Sequence, residues 1–180
     1  NLLHFCRMVG IAELLREARE LTFVGPSGQR CRFRESAGPP PLHLARDGMG
    51  LKYLSAGEKM RLASDLRKLA HPRWAEAEDT SFADWLREHG RTAELRPRFW
   101  DVILVSALSE TAERIAVPFA RQVFVEGFLG NRAGWRVHLP TVPLDQLYGR
   151  RLTDWLQARG ATVRTQAGVE QLEEHDGRIV

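Results

Sequence analysis

The first fifty residues change their hydrophobic pattern twice. Apolar side chains recur at helical spacing over residues 2–18, with a break near Gly10, which predicts a helix that stops at this glycine and resumes to about Ala18. Residues 21–33 then alternate between apolar and polar around a Pro-Ser-Gly turn, a pattern typical of a β-hairpin. Three consecutive prolines at positions 39–41 disfavour a helix and favour an extended linker.

The centre of the chain carries the clearest helix signals. Ser55 and Glu58 form a capping-box pattern at the start of an amphipathic segment, and Ser81 with Asp84 marks the start of a second helix. Residues 98–110, RFWDVILVSALSE, are an almost unbroken apolar run with the length of a helix. The middle of the protein is therefore expected to be helical.

The last forty residues differ in character from the centre. Residues 143–160 have the spacing of an amphipathic helix that ends at Gly160. Two or three short strands are expected after it, with a turn at Asp176 and Gly177. A helix, a glycine and then a strand in this order are typical of an α/β layer.

These patterns together predict an α+β fold. We expect a mostly helical lobe over roughly residues 40–130, with a small antiparallel sheet contributed by residues 20–35 and 134–140. Residues 143–180 are expected to form a separate piece made of a helix and strands.

Composition and charge narrow the classes of function without choosing one. The chain has 180 residues, of which 43% are hydrophobic and 27% charged, as in ordinary folded proteins. Its 26 Lys and Arg residues and 23 Asp and Glu residues leave a net charge of only +3, and the basic residues are dispersed, so we expect no nucleic-acid partner. No apolar run approaches the roughly 20 residues that span a bilayer.

Motifs for metal binding and for nucleophilic catalysis are missing from the sequence. The two cysteines and six histidines show no zinc-site spacing, so no metal is expected, and Cys6 and Cys31 are expected to be free thiols, with a disulfide as the alternative. The sequence has no G-x-S-x-G and no G-x-G-x-x-G phosphate cradle. An acid–base pair among Asp84, Asp101 and Glu110 is conceivable, but carboxylates on helix surfaces are the simpler interpretation.

Bulky apolar side chains are concentrated between residues 82 and 128. For each of them alone, the simplest interpretation is the core of a small helical lobe. Together they exceed what such a lobe easily buries, so we expect some of them to lie on or next to the wall of a cavity. The residues expected there are Phe99, Trp100, Leu104, Phe124 and Phe128.

Seven segments of the chain occur in the same order in one family of flavoproteins. They are NLLHFCRMVG, ELTFVGPSGQ, PLHL, SFADWLREHG, RFWDVILVSALSE, QVFVEGFLG and LPTVPLDQLYG. The chain thereby resembles the squalene-associated FAD-dependent desaturases, understood as hydroxysqualene dehydroxylases of hopanoid and squalene synthesis, within the flavin amine oxidase and phytoene desaturase superfamily. RFWDVILVSALSE is the most specific segment, whereas TDWLQARGATVRTQAGVEQL is shared across the superfamily. The chain departs from the family pattern at Ser109, where the family usually has Asn.

The resemblance implies that these residues are the middle of an FAD-dependent oxidoreductase. It implies a helix leading from the FAD domain in residues 1–19, a substrate-binding domain in residues 20–142 and part of the FAD-binding domain in residues 143–180. The implied reaction removes the hydroxyl of a polyisoprenoid alcohol, with reducing equivalents passing through the flavin. Because the glycine-rich turn that binds the pyrophosphate is missing here, the isolated fragment is expected to be inactive and not to bind FAD.

One residue of the cofactor site is implied within the chain. In the superfamily, a valine at the position of Val169 typically holds the adenine end of FAD through its backbone N–H and C=O. The alternative is an ordinary strand valine that faces the core of a sheet.

The resemblance also implies the partners and the location of the protein. The implied partners are a polyisoprenoid substrate and the remainder of the protein's own FAD domain. The implied location is the cytoplasm, with peripheral association at the inner face of the membrane. Two hypotheses from other classes stay open. One is a non-catalytic helical domain whose apolar groove binds a partner helix or a lipid, and the other, motivated by the Arg content alone, is a weak nucleic-acid binder.

Overall fold

A computed structural model describes residues 2–90 and 92–179 of the chain. The protein is 49% helical and 12% strand, with its strands in small antiparallel sheets, so the predicted α+β class is confirmed. The chain forms two compact units. The larger spans Glu17–Val137, and the smaller combines the residues up to Arg16 with those from His138 onward.

The regular elements follow one another in short pieces. The α-helices are α1 Leu2–Val9, α2 Ala45–Met49, α3 Ala56–Leu69, α4 Phe82–Glu88, α5 Trp100–Leu108, α6 Val117–Arg121 and α7 Leu152–Gln157. The strands are β1 Leu15–Ala18, β2 Leu21–Val24, β3 Arg30–Phe33, β4 Val137–Pro140, β5 Glu174–His175 and β6 Arg178–Ile179. The described residues also contain the 3₁₀ segments Ala12–Leu14, Leu42–Leu44, Pro72–Ala75 and Ala93–Arg98 and the π-helices Gln122–Leu129 and Asp145–Arg151.

The two predicted helix starts in the centre are confirmed. At α3 the Ser55 hydroxyl accepts the Glu58 backbone N–H at 3.3 Å, and the Glu58 carboxylate accepts the Ser55 N–H at 2.7 Å. The Ser55 backbone N–H, the Ser55 side chain and Arg98 all hydrogen-bond the Glu58 carboxylate, and together they lower its pKa to about 2. At α4 the Ser81 hydroxyl accepts the Asp84 N–H at 3.1 Å. In each case a side chain satisfies a backbone donor that has no partner within the helix.

The β-hairpin at residues 21–33 is confirmed. Strands β2 and β3 pair antiparallel, with Leu21 opposite Phe33 and Val24 opposite Arg30. The Gly28 N–H donates to the Gly25 carbonyl at 2.9 Å, and Gly28 has a φ of 78°, a conformation that glycine adopts at little cost.

The predicted resumption of the first helix is wrong. Gly10 ends α1 with a φ of 76°, and the chain continues through a 3₁₀ turn into strand β1 instead of a second helix. Strand β1 pairs with β4, so β4 does not join the β2–β3 hairpin as expected. The backbone groups of β1 form hydrogen bonds with a segment more than a hundred residues away. The spacing of apolar residues within residues 2–18 carries no information about such a partner.

The expectation of an extended linker around the prolines is only partly met. A 3₁₀ turn, Leu42–Leu44, begins directly after the proline run and leads without a break into α2. Proline fixes φ near the helical value. It has no backbone N–H, but the N–H groups in the first turn of a helix have no partner within the helix anyway, so a helical segment readily begins beside a proline.

The tail forms two short strands, within the predicted two or three, but both lie after residue 173. The helical segment over residues 145–157 and the hairpin β5–β6 are present, and Asp176 and Gly177 form its two-residue turn with positive φ. Residues 161–173 were expected to contain strands, but they are exposed and pair with no other described segment. A strand is stable only against a hydrogen-bonding neighbour.

Each unit has its own buried apolar cluster. In the smaller unit the cluster is centred on Cys6, Val9, Ile11 and Leu147. In the larger unit the main cluster joins α3, α4, α5, α6 and the π-helix Gln122–Leu129, with Leu69, Trp85 and Trp100 among its fully buried side chains. The core of the larger unit therefore sits where the central helices meet.

Candidate functional site

The larger unit contains an apolar cavity of about 800 Å³ that is partly open to solvent. Its walls come from the β2–β3 hairpin, the segment from Pro40 to Leu51, one face of α3, and parts of α5 and of the π-helix Gln122–Leu129. Among the described residues that line it, only Lys59 and Arg67 carry a polar side chain. A cavity of this kind is suited to a hydrocarbon, because it offers large apolar area and few hydrogen-bonding groups.

Three of the five residues predicted for a cavity wall line this one. Phe99, Phe124 and Phe128 face the cavity, with ring centroids 6.1 Å apart for Phe99 and Phe124 and 6.4 Å apart for Phe124 and Phe128. Trp100 and Leu104 are fully buried and do not line it. The Trp100 ring packs edge-on against Phe124, with centroids 4.8 Å apart, so it supports the wall from behind.

A second, smaller cavity of about 240 Å³ adjoins the first. Phe23, Ile103 and Phe128 line both cavities and so separate them. The far side of the smaller cavity is formed by residues such as Val102 and Trp135. The two spaces form a pair of apolar chambers that share a partition of three side chains.

A buried polar network holds Trp100 in place. The Trp100 indole Nε1–H donates to the Thr92 hydroxyl at 3.0 Å, and that hydroxyl donates to the Asp65 carboxylate at 2.7 Å. All three side chains are essentially inaccessible to solvent, and the Lys68 ammonium lies 3.8 Å from the Asp65 carboxylate. Local sequence carries no signal for this network, because Asp65 lies in α3, Thr92 lies just before the 3₁₀ turn Ala93–Arg98, and Trp100 begins α5.

An ionic cluster supports the loop that precedes the prolines. Arg132 donates to the carbonyls of Gly38 at 2.8 Å and Ser36 at 3.3 Å, and Arg136 binds Glu35 at 2.8 Å. His43 is fully buried next to this cluster, and neither of its ring nitrogens hydrogen-bonds a described residue. Burial lowers the pKa of His43 below its usual value of 6.5, the charge of Arg132 lowers it further, and Glu35 opposes both.

The carboxylates considered as an acid–base pair each have a local arginine partner. Asp101 binds Arg96 at 3.1 Å, and Glu110 lies 3.3 Å from Arg114. Asp84 accepts the Ser81 hydroxyl and lies near Arg87, and both contacts lower its pKa. These contacts match the simpler interpretation of carboxylates on helix surfaces.

Val169 lies outside regular structure. Its side chain is 77% exposed, and its backbone forms no hydrogen bond with another described residue. The alternative of a strand valine facing a sheet core therefore does not apply, since no described strand contains it. The role in binding adenine stays a prediction.

In residues 2–90 and 92–179, no group of three or more His, Cys, Asp or Glu side chains is placed to hold a metal ion. Cys6 and Cys31 are both buried free thiols, as expected. None of the described helices combines the length and the apolar character needed to cross a membrane.

No protein-family model matches the chain, and no curated protein matches it either.

Proposed function

We propose that the chain is the substrate-binding part of an FAD-dependent oxidoreductase that acts on a long polyisoprenoid alcohol, in a reaction of the hydroxysqualene-to-squalene type. The observation that carries the proposal is the apolar cavity of about 800 Å³, whose described lining has only two polar side chains. The resemblance in RFWDVILVSALSE supports it as well, since this segment supplies Phe99 and Ile103 to the wall.

The energetics of burial fit such a ligand. A polyisoprenoid has almost no hydrogen-bonding groups, so its affinity comes from apolar surface removed from water, at about 25 cal/mol per Å² or about 0.8 kcal/mol per methylene. Each five-carbon unit that enters the cavity then contributes roughly 3 to 4 kcal/mol before the cost of ordering the chain is subtracted. The cavity is therefore expected to favour long isoprenoids over short ones.

The described residues do not by themselves make a flavin site. Among the described residues no glycine-rich turn leads from a strand into a helix, and Val169 lies in the exposed segment 161–173, which pairs with no described strand. FAD, where bound, would supply reducing equivalents to the substrate. In this proposal the remainder of the FAD domain binds the cofactor, and the chain described here binds and orients the isoprenoid and excludes water around it.

The test has a binding arm and a turnover arm. The chain is titrated with hydroxysqualene in detergent while its tryptophan fluorescence is followed, and squalene formation is measured by mass spectrometry in the longer protein supplied with FAD and a reductant. Val125→Asp places a charge on the cavity wall and is expected to abolish binding. Val105→Asp, on the exposed side of α5, is the matched control and is expected to bind normally.

Each outcome has a defined meaning. Binding that Val125→Asp removes, together with squalene formation, supports the proposal. Binding without turnover in the FAD-loaded protein favours the non-catalytic lipid-binding alternative. Failure of the folded parent chain to bind any long isoprenoid contradicts both.

A further inference from the structure

The large cavity opens to solvent through a rim of apolar and cationic side chains. Six residues that line the cavity define this mouth: Pro40, Pro41, Leu42, Met49, Lys59 and Arg67. Leu42 is 62% exposed and Met49 is 53% exposed. Large apolar side chains that stay in water next to an apolar cavity mark a surface that meets another apolar phase.

The two cations of the mouth have no anionic partner among the described residues. The Lys59 ammonium donates to the Met49 carbonyl at 2.7 Å, which holds its charge at the rim, and Arg67 is exposed. Neither forms an ion pair with a described carboxylate, and no described acidic residue lines the cavity. Many other arginines of this unit, such as Arg96 and Arg98, do pair with carboxylates. The charge of the mouth is therefore open to an external anion.

The helix α3 places both kinds of group on one face. Lys59, Leu62, Ala63, Leu66, Arg67 and Ala70 all line the cavity. Their spacing of three and four residues puts them along one side of the helix, so both cations share the face that forms the cavity wall.

The order of these groups matches the layers of a lipid bilayer. In an anionic bilayer, phosphate groups lie outside and hydrocarbon lies beneath them. The mouth presents cations at its rim and leads directly to hydrocarbon side chains within. A soluble anion would find only two cations at the rim and no buried polar partner beside them. An acidic protein would leave Leu42 and Met49 without an apolar counterpart.

We propose that the mouth docks on an anionic lipid bilayer, with Leu42 and Met49 inserted below the headgroups and Lys59 and Arg67 at the level of the phosphates. A long isoprenoid could then pass from the membrane into the cavity without crossing water. The docking goes beyond the proposed function, because it requires neither flavin nor substrate.

Vesicle sedimentation tests the docking with the full chain. Vesicles of phosphatidylcholine alone are compared with vesicles of equal parts phosphatidylcholine and phosphatidylglycerol. We expect binding to the second kind only, weakened by added salt. A cation near such a surface contributes about 1 kcal/mol, so Lys59→Gln and Arg67→Gln are each expected to weaken binding about fivefold.

Variants of the apolar rim and matched controls complete the experiment. Leu42→Ser and Met49→Ser are each expected to weaken binding about tenfold, because they remove inserted apolar surface. Val105→Ser, which changes a side chain of comparable exposure on α5, and Arg164→Gln, which removes an exposed cation of the smaller unit, are expected to bind as the parent does. Circular dichroism establishes that every variant is folded.

The results separate this proposal from the proposed function. Anion-dependent binding that only the mouth variants lose supports the docking. Absence of anion-dependent binding, or equal losses in the mouth variants and the controls, overturns it. Either result can occur whether or not the cavity binds hydroxysqualene, so the failure of one proposal is distinguishable from the failure of the other.

Discussion

Replacing Thr92 with Val should destabilise the larger unit far more than the small change in shape suggests. Valine has nearly the volume of threonine but lacks the hydroxyl that joins Trp100 to Asp65. The substitution leaves the indole N–H and one carboxylate oxygen in a buried site without this partner.

The magnitude follows from the two bonds that are lost. A hydrogen bond to a carboxylate is worth about 1.5 to 3 kcal/mol, and an indole N–H left unpaired in a buried site costs about 1 kcal/mol or more. The expected loss in the free energy of unfolding is therefore about 3 kcal/mol. Thr92→Ser keeps the hydroxyl and removes one methyl group, which costs only about 1 kcal/mol.

Urea unfolding followed by circular dichroism and tryptophan fluorescence measures both variants. With an m-value of about 2 kcal/mol/M, a loss of about 3 kcal/mol lowers the midpoint by about 1.5 M urea. Because Trp100 supports Phe124 on the cavity wall, Thr92→Val is also expected to weaken isoprenoid binding. If Thr92→Val and Thr92→Ser lower the midpoint equally, the network does not stabilise the fold as argued.

Three further predictions concern the cavity, acidity and the cofactor. Phe128→Trp enlarges a side chain in the partition between the two chambers, and it should weaken the binding of hydroxysqualene more than that of farnesol, which has half its length. Equal weakening of both ligands in the fluorescence titration would count against two connected chambers. Because burial lowers the pKa of His43, acid protonates this side chain more readily in the unfolded chain than in the folded one. The free energy of unfolding should therefore decrease as the pH falls below about 6.5. His43→Leu should make the melting temperature depend less on pH in this range. The isolated chain should not bind FAD in equilibrium dialysis. In the longer flavoprotein that we propose, Val169→Pro should raise the FAD dissociation constant sharply, whereas Val169→Ile should change it little. Tight FAD binding by the folded proline variant would exclude the backbone contact.

The parts of the fold that were predicted correctly depend on local chemistry. The caps at Ser55 and Ser81 and the turn at Asp176 are specified within four residues of sequence, because a side chain or a glycine neighbour satisfies the backbone there. The strand at Leu15–Ala18 was missed because its stability comes from β4, far along the chain. Helical spacing of apolar residues cannot reveal a partner of this kind.

The candidate site was predicted in part for a similar reason. The excess of aromatic residues indicated a cavity, and Phe99, Phe124 and Phe128 line one. The neighbour of Phe99, Trp100, is buried in the closed core, because Phe99 has a non-helical backbone just before α5 whereas Trp100 is the first residue of the helix. Composition can indicate that a wall exists, but only the packing of the helices decides which side of it a residue faces.

The end of α5 gives a conformational explanation for the departure at Ser109. Ser109 has a φ of 55° and a ψ of 30°, and its N–H donates to the Val105 carbonyl at 2.9 Å, so it closes the helix in the left-handed region. Asparagine tolerates this region better than most residues, and glycine does so best. An asparagine at this position in the family that the chain resembles would thus be favoured by the bend itself, and its amide would need no part in chemistry. An exchange between Asn and Ser at this position changes the conformational cost of the left-handed turn that ends α5. It does not change which side chains line the cavity.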